Sequence, residues 1–197
     1  MLPRLCKDDR RALLALARSA ITETTLQDRI PDWIVPAGPL SEPGGAFVTL
    51  FCRDRLRGCV GLSGRNFSLA ETVMQAAISA ARNDPRFAAV TAGELLEVDI
   101  EISVLSEPQL VSPGVIEVGT HGLLIARGGH RGLLLPQVAA EHSWSSERFL
   151  EETCRKAGLE AGAWRNPETQ VFAFTAEVFS ERELRPSSVR DGQLDSQ

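Results

Sequence analysis

The stretch Ala46-Phe47-Val48-Thr49-Leu50-Phe51-Cys52, Arg53-Asp54-Arg55, Leu56-Arg57-Gly58-Cys59-Val60-Gly61-Leu62 decides the fold class. Two β-rich runs flank a short charged turn, which predicts a hairpin and hence antiparallel pairing. Downstream, Ser68-Leu69-Ala70-Glu71 has the spacing of a capping box. Leu69, Val73, Ala76, Ala77, Ala80 and Ala81 then share one helical face, and so many alanines let that helix lie close to a sheet. Pro85 ends it, because the residue before a proline avoids the helical region. Upstream, Asp8 and Asp9 precede Leu13, Leu16, Ala17, Ala20, Ile21 and Thr24, predicting a helix over 9–27. Pro31, Pro36, Pro39 and Pro43, with Gly38, Gly44 and Gly45, predict a long loop that either wraps the surface or lines a site.

Thr91–Glu94 repeats the capping-box pattern over a short helical turn. Val98, Ile100, Ile102 and Val104 alternate with Asp99, Glu101 and Ser103 as a half-buried strand. A second hairpin is predicted over 121–135 around Gly128-Gly129. Helices follow over 136–141 and 146–157, the latter capped by Ser145 and stopped at Gly158-Leu159. A last strand spans 171–179, and the chain from Glu181 onward reads as a polar tail. Hairpins dominate over crossovers, so the expected class is α+β with mainly antiparallel sheet.

A chain of 197 residues suits one sizeable core. Its net charge of -5 argues against a protein that grips nucleic-acid backbone, and the sparse aromatics, three Trp, eight Phe and no Tyr, argue against base-stacking platforms. The four cysteines form no C-x-x-C pair and no tight Cys/His cluster, so neither a zinc ribbon nor a disulfide scaffold is expected. No helical His spacing suggests a metal site. The N-terminal residues lack the apolar core of a secretory signal, and no apolar run is long enough for a bilayer. The expected compartment is the cytoplasm, where thiols are reduced.

The chemistry centres on Cys59. Side chains two apart on a strand share a face, so Arg57 and Cys59 are expected to project together, with Gly61 leaving open space beside them. A guanidinium there would favour the thiolate. The competing reading is a small buried cysteine with a packing role. Asp84 and Arg86 flank Pro85, either as a functional pair or as a local ion pair at a helix end. Glu101 becomes a candidate base if a second layer covers its face of the strand. His121 supports nucleophilic catalysis if the fold brings it to Cys59. Gln137 sits near the start of a helix after Leu133-Leu134-Leu135-Pro136, where it could orient a ligand.

These pieces resemble the AMMECR-type domain family, named after a human chromosomal region linked to Alport syndrome, midface hypoplasia and elliptocytosis. The resemblance rests on Leu56-Arg57-Gly58-Cys59-Val60-Gly61, Asp84-Pro85-Arg86-Phe87 and Glu101-Ile102-Ser103-Val104-Leu105-Ser106. It continues through Val118-Gly119-Thr120-His121-Gly122-Leu123, Leu134-Leu135-Pro136-Gln137-Val138-Ala139, Trp144, Phe149-Leu150 and Lys156-Ala157-Gly158-Leu159. Val60 stands where isoleucine is commoner. The resemblance implies one domain over 8–180 with a larger and a smaller subdomain and a cleft between them. It also implies association with Memo-like and radical-SAM proteins, but no particular reaction or cofactor.

Two functions compete. One is an enzyme or enzyme component using Cys59 on a small anionic or modified-side-chain substrate, with His121 or Glu101 handling protons and Arg57, Asp84, Arg86 and Gln137 binding. The other is a non-catalytic adaptor for a Memo-like or radical-SAM partner, docking through residues 31–45. RNA binding through Arg53, Arg55, Arg57 and Arg65 is a weaker third, opposed by the net charge.

Overall fold

Strands β1 (Gly45–Cys52) and β2 (Arg55–Leu62) form the expected antiparallel hairpin, with Arg53 and Asp54 at positive φ in its turn. Positive φ at both central residues matches the right-handed twist of the flanking strands. The computed structural model describes residues 4–184. Helix α1 (Lys7–Gln27) and helix α2 (Leu69–Arg82) lie on one face of a sheet ordered β2-β1-β3-β8, with β3 at Val98–Leu105 and β8 at Ala176–Ser180. Val48, Leu50, Ile100 and Ile102 point from the strands into that core, against Leu13, Leu16, Ile21, Val73, Ala76 and Ala77 of the helices.

The alanine face of α2 brings its backbone unusually close to β2. A Cβ built on Gly58 would lie 2.2 Å from the Ala80 carbonyl oxygen. Glycine at 58 is therefore required by packing, and the expectation that α2 lies close to a sheet is met at this point. Both expected capping features of α2 form, with Ser68 and Glu71 bonding each other's backbone N–H. Helix α1 starts two residues earlier than expected because Cys6 serves as its cap: the Asp9 N–H donates to the thiol, and the Cys6 N–H donates to Asp9 at 2.8 Å.

A second sheet is ordered β4-β7-β5-β6, from Gln109–Leu110, Gln170–Phe174, Gly122–Arg127 and His130–Leu134. Helices α3 (Pro136–Glu141) and α4 (Ser146–Lys156) complete its core, where Leu123, Ile125, Ala139, Phe149, Leu150 and Cys154 meet. The expected single strand over 171–179 is two strands in different sheets, broken at Thr175. Its partner breaks at the same level. Ser106 donates its N–H to the Thr175 carbonyl and accepts the Thr175 N–H on its hydroxyl, both at 2.9 Å. Two antiparallel chains thus pass from one sheet to the other as a pair, and alternation alone carries no mark of that handover.

The chain after 180 begins folded: Glu181–Leu184 forms the short helix α5. Glu181 accepts from the Ile100 N–H at 3.1 Å and from the Arg18 guanidinium, so the expected tail starts later than residue 181. Residues 185–197 lie outside the described residues. No helix among the described residues is long and apolar enough to cross a membrane.

Candidate functional site

Alternation along β1 sends Val48 and Leu50 toward the helices and Phe47 and Thr49 to the opposite face. Thr49 pairs with Cys59 on one side and Glu101 on the other, so these three residues form one row across the sheet. The Thr49 hydroxyl donates to the Cys59 sulfur at 3.3 Å. Cys59 is partly exposed.

The backbone of Cys59 is held from outside the sheet. Its N–H donates to Asp84 Oδ2 at 2.9 Å, and its carbonyl accepts from Arg86 Nη2 at 3.1 Å. Asp84 is 4% exposed and also accepts from the Arg86 N–H, Nε and Nη2, at 3.1, 2.9 and 2.7 Å. The Asp84–Arg86 pair therefore occupies the place of a neighbouring strand on the edge of β2. Hydrogen bonds from Arg86 hold the Asp84 carboxyl far below the usual carboxylate range, outweighing its burial. Pairing with Asp84 raises Arg86, and the Cys59 side chain acts on it in the same direction.

Arg57 does not sit with the thiol. Leu50 pairs with Gly58 and Phe51 with Leu56, so Arg57 is the extra residue of a β-bulge, which breaks the two-residue alternation. Its guanidinium bonds Glu94 at 2.7 and 3.1 Å and the carbonyls of Ala88 and Ala89 at 2.8 and 3.2 Å. It ties the loop after α2 to the sheet. The space expected beside Gly61 is filled as well: a Cβ there would lie 2.2 Å from the Phe47 ring.

A groove of about 460 Å³ opens at Cys59. Phe47, Cys59, Val60 and Gly61 come from the first sheet, Asp84, Pro85 and Arg86 from the loop, and Leu133, Leu134, Leu135, Val138 and Lys156 from the second sheet and its helices. Leu105, Leu135 and Phe174, with Phe47, Leu133 and Val138, form a small apolar cluster joining the two sheets beside it. Among the described residues no carboxylate pairs with Lys156.

Glu101 lines a different hollow, with Phe51, Asp99, Ser180 and Arg182. Burial raises its pKa, and the charges of Glu183 and Glu141 add to that. Glu101 is half-buried, so its face of the strand is partly covered. His121 lies in a third hollow with Ser106, Gln109, Phe174 and Thr175, where its Nδ1 accepts the Glu117 N–H at 3.0 Å. The structure does not bring it into the Cys59 groove. Gln137 is half-buried on α3 one residue before Val138 and is not itself among the groove-lining residues. Among the described residues no group of three His, Cys, Asp or Glu side chains converges as metal ligands.

The sequence matches the AMMECR1 family model over residues 14–179. The chain belongs to the AMMECR1 family. A protein of Methanothermobacter thermautotrophicus is 41% identical over 191 residues, covering 90% of this chain and 96% of its own length. A protein of Thermococcus kodakarensis is 44% identical over 182 residues, covering 86% of this chain and 88% of its own. The crystal structure of an uncharacterized protein from Pyrococcus horikoshii is similar with a TM-score of 0.80 at 40% identity, covering 86% of this chain and 90% of that one.

In this AMMECR1-family chain three groups around the Cys59 groove were not singled out in the sequence: Thr49, Phe47 and Lys156. Hairpin register points to Thr49, but the bulge at Arg57 shifts the count by one residue. Lys156 reaches the groove only through packing of the second sheet, and nothing near Cys59 in sequence marks it.

The carboxylates around Cys59 and Arg57 are expected to make the fold sensitive to acid. Glu94 is lowered from 4.5 to about 2, first by Arg57 and then by Thr91, and Asp84 lies lower than its ordinary value too. A depressed folded-state pKa gives stability that is complete above the unfolded value and is lost as pH falls through the folded one. Glu101, raised in the fold, has the opposite sign and gains stability as it protonates. Thermal melts are therefore expected to hold or rise slightly as pH is lowered to about 4.5, then fall steeply below about 4. Glu94→Gln should flatten the acid limb, and an unchanged limb would contradict the assignment.

Proposed function

We propose that the Cys59 groove binds a small anionic compound or a modified side chain with an apolar portion, and that this protein acts on it as an enzyme or enzyme component through the Cys59 thiol. The observation that carries this reading is the placement of the thiol in a groove with Arg86 at its rim, Lys156 on its wall and apolar Leu133, Leu135 and Val138 between. Thr49 orients the sulfur. Asp84 and Arg86 act through the Cys59 backbone as a neutral pair, and Lys156, with no carboxylate partner among the described residues, supplies the positive charge that attracts an anion. Glu101, in the same cross-strand row, and His121 are the candidate proton carriers, although each lines a hollow other than the Cys59 groove. In this reading residues 8–180 are one domain, its two sheets are the two subdomains, the groove is the cleft between them, and the thiol works in a reducing cytoplasm.

A paired labelling experiment tests the reading. The rates of iodoacetate and iodoacetamide at Cys59 are measured by peptide mapping and compared with those of N-acetylcysteine amide. The ratio of anionic to neutral reagent should be at least about threefold higher at Cys59, and Lys156→Ala should reduce it. A ratio equal to that of the free thiol would remove the anion-binding site.

Ile34 and Ile30, 93% and 61% exposed in and beside the Pro-rich segment, favour a second reading in which that segment docks a Memo-like or radical-SAM partner.

A further inference from the structure

The groove is bordered by the open edges of both sheets: β2 ends the first sheet and β6 ends the second. Cys59 turns both of its backbone groups away from β1, toward Asp84 and Arg86. Thr49–Cys59 is therefore a non-hydrogen-bonded pair of the ladder. Alternation makes Phe47–Gly61 another such pair, because the register runs unbroken from 58 to 62. The Gly61 N–H and C=O consequently point outward as well. Among the described residues neither group has a bonding partner. They open on a groove that Val60 and Gly61 both line.

From this edge we infer that the groove takes an extended polypeptide segment ending in or carrying a carboxylate, which adds to β2 at Gly61. This inference rests on the groove being the binding site and names its substrate class. Strand addition draws affinity from main-chain bonds and selectivity from pockets for alternate side chains. The Gly61 N–H and C=O supply one such bonded pair. The Asp84–Arg86 pair already fills the next edge position, at Cys59, so an added chain must stop there. Its end meets the Arg86 guanidinium, whose side chain is 54% exposed. Lys156 adds positive charge to the groove with no carboxylate partner among the described residues. Phe47, Leu133 and Val138 receive an apolar side chain next to that terminus. The Cys59 sulfur lies one pair along the same face from Gly61, within reach of the terminal residue.

The test uses the full chain labelled with ¹⁵N and a library of N-acetylated hexapeptides randomised among Val, Leu, Phe and Thr. The library is made in three forms: with a free C-terminal carboxylate, with a neutral C-terminal amide, and as an amide whose last residue is Glu. The Gly61 amide proton should move downfield and saturate with one or both carboxylate forms and stay in place with the neutral amide. Which carboxylate form acts separates a chain terminus from an acidic side chain. N-methylation of the peptide residue paired with Gly61 should weaken binding about fivefold or more. A Gly61 amide that stays in place with all three forms, or responds equally to the neutral one, overturns the inference. If it stays in place while Cys59 keeps its preference for iodoacetate, the groove takes free anions, and the proposed site stands without the peptide.

Discussion

Gly58→Ala is expected to destabilise the fold by about 2–4 kcal/mol, the cost of forcing extra volume into a closed contact. The new Cβ would lie 2.2 Å from the Ala80 carbonyl oxygen and 3.1 Å from its carbonyl carbon. Those atoms belong to the backbone of α2, whose alanine face is packed at essentially zero exposure. No rotamer change can relieve the clash. Either α2 shifts outward and opens its contacts with β1 and β2, or β2 moves and the Cys59 backbone loses its alignment with Asp84. Gly93→Ala is the control, since a Cβ there meets nothing within 4 Å. Urea unfolding should place Gly93→Ala within about 0.5 kcal/mol of the parent. A Gly58→Ala loss below about 1 kcal/mol would mean that the helix does not press on the strand.

Asp84→Ala is expected to cost about 2–4 kcal/mol and to disturb the groove as well. Four donors converge on this carboxylate: the Cys59 and Arg86 N–H groups and two nitrogens of the Arg86 guanidinium. Removing it leaves the Cys59 N–H without its acceptor. Arg86 is more than half exposed and regains water, which keeps the loss below that of a fully buried pair. Asp84→Asn should cost less, because one acceptor oxygen remains. The substitution also tests the electrostatics of the groove: it removes a lining carboxylate and leaves the Arg86 charge unpaired, so the iodoacetate preference at Cys59 should rise in Asp84→Ala after correction for the unfolded fraction. An unchanged preference would make Asp84 a stabilising residue with no part in the groove.

Much of the fold is legible in the residues. The Ser68–Glu71 capping box, the alternation of 98–104 and the Gly158 stop each act within a few neighbours and form where expected, and the charged turn forms one residue shorter, at Arg53-Asp54. The reading of 171–179 as one strand failed because local alternation is identical whether a strand stays in its sheet or leaves it. Of the residues singled out in the sequence, Cys59, Asp84 and Arg86 line one groove, while the contacts expected around them differ. One extra residue at Arg57 turned the expected thiol partner toward Glu94. The guanidinium bonded to the Cys59 backbone is Arg86, 27 residues further along.

The glycine at 61 shows the same division. Its presence in a strand signalled that something approaches closely, and the sequence pattern held no information on what. The answer is the Phe47 ring on the facing strand. By itself the sequence determined the α+β class, the antiparallel hairpins and the helix limits to within a few residues, because turns, caps and alternation are short-range effects. Only the tertiary structure decided which charges meet Cys59, that Thr49 bonds its sulfur and that Glu101 and His121 lie in separate hollows. It also decided that two sheet edges face one groove. Each of these depends on register and on packing between segments 10 to 100 residues apart, where a single bulge or crossing redirects every side chain that follows.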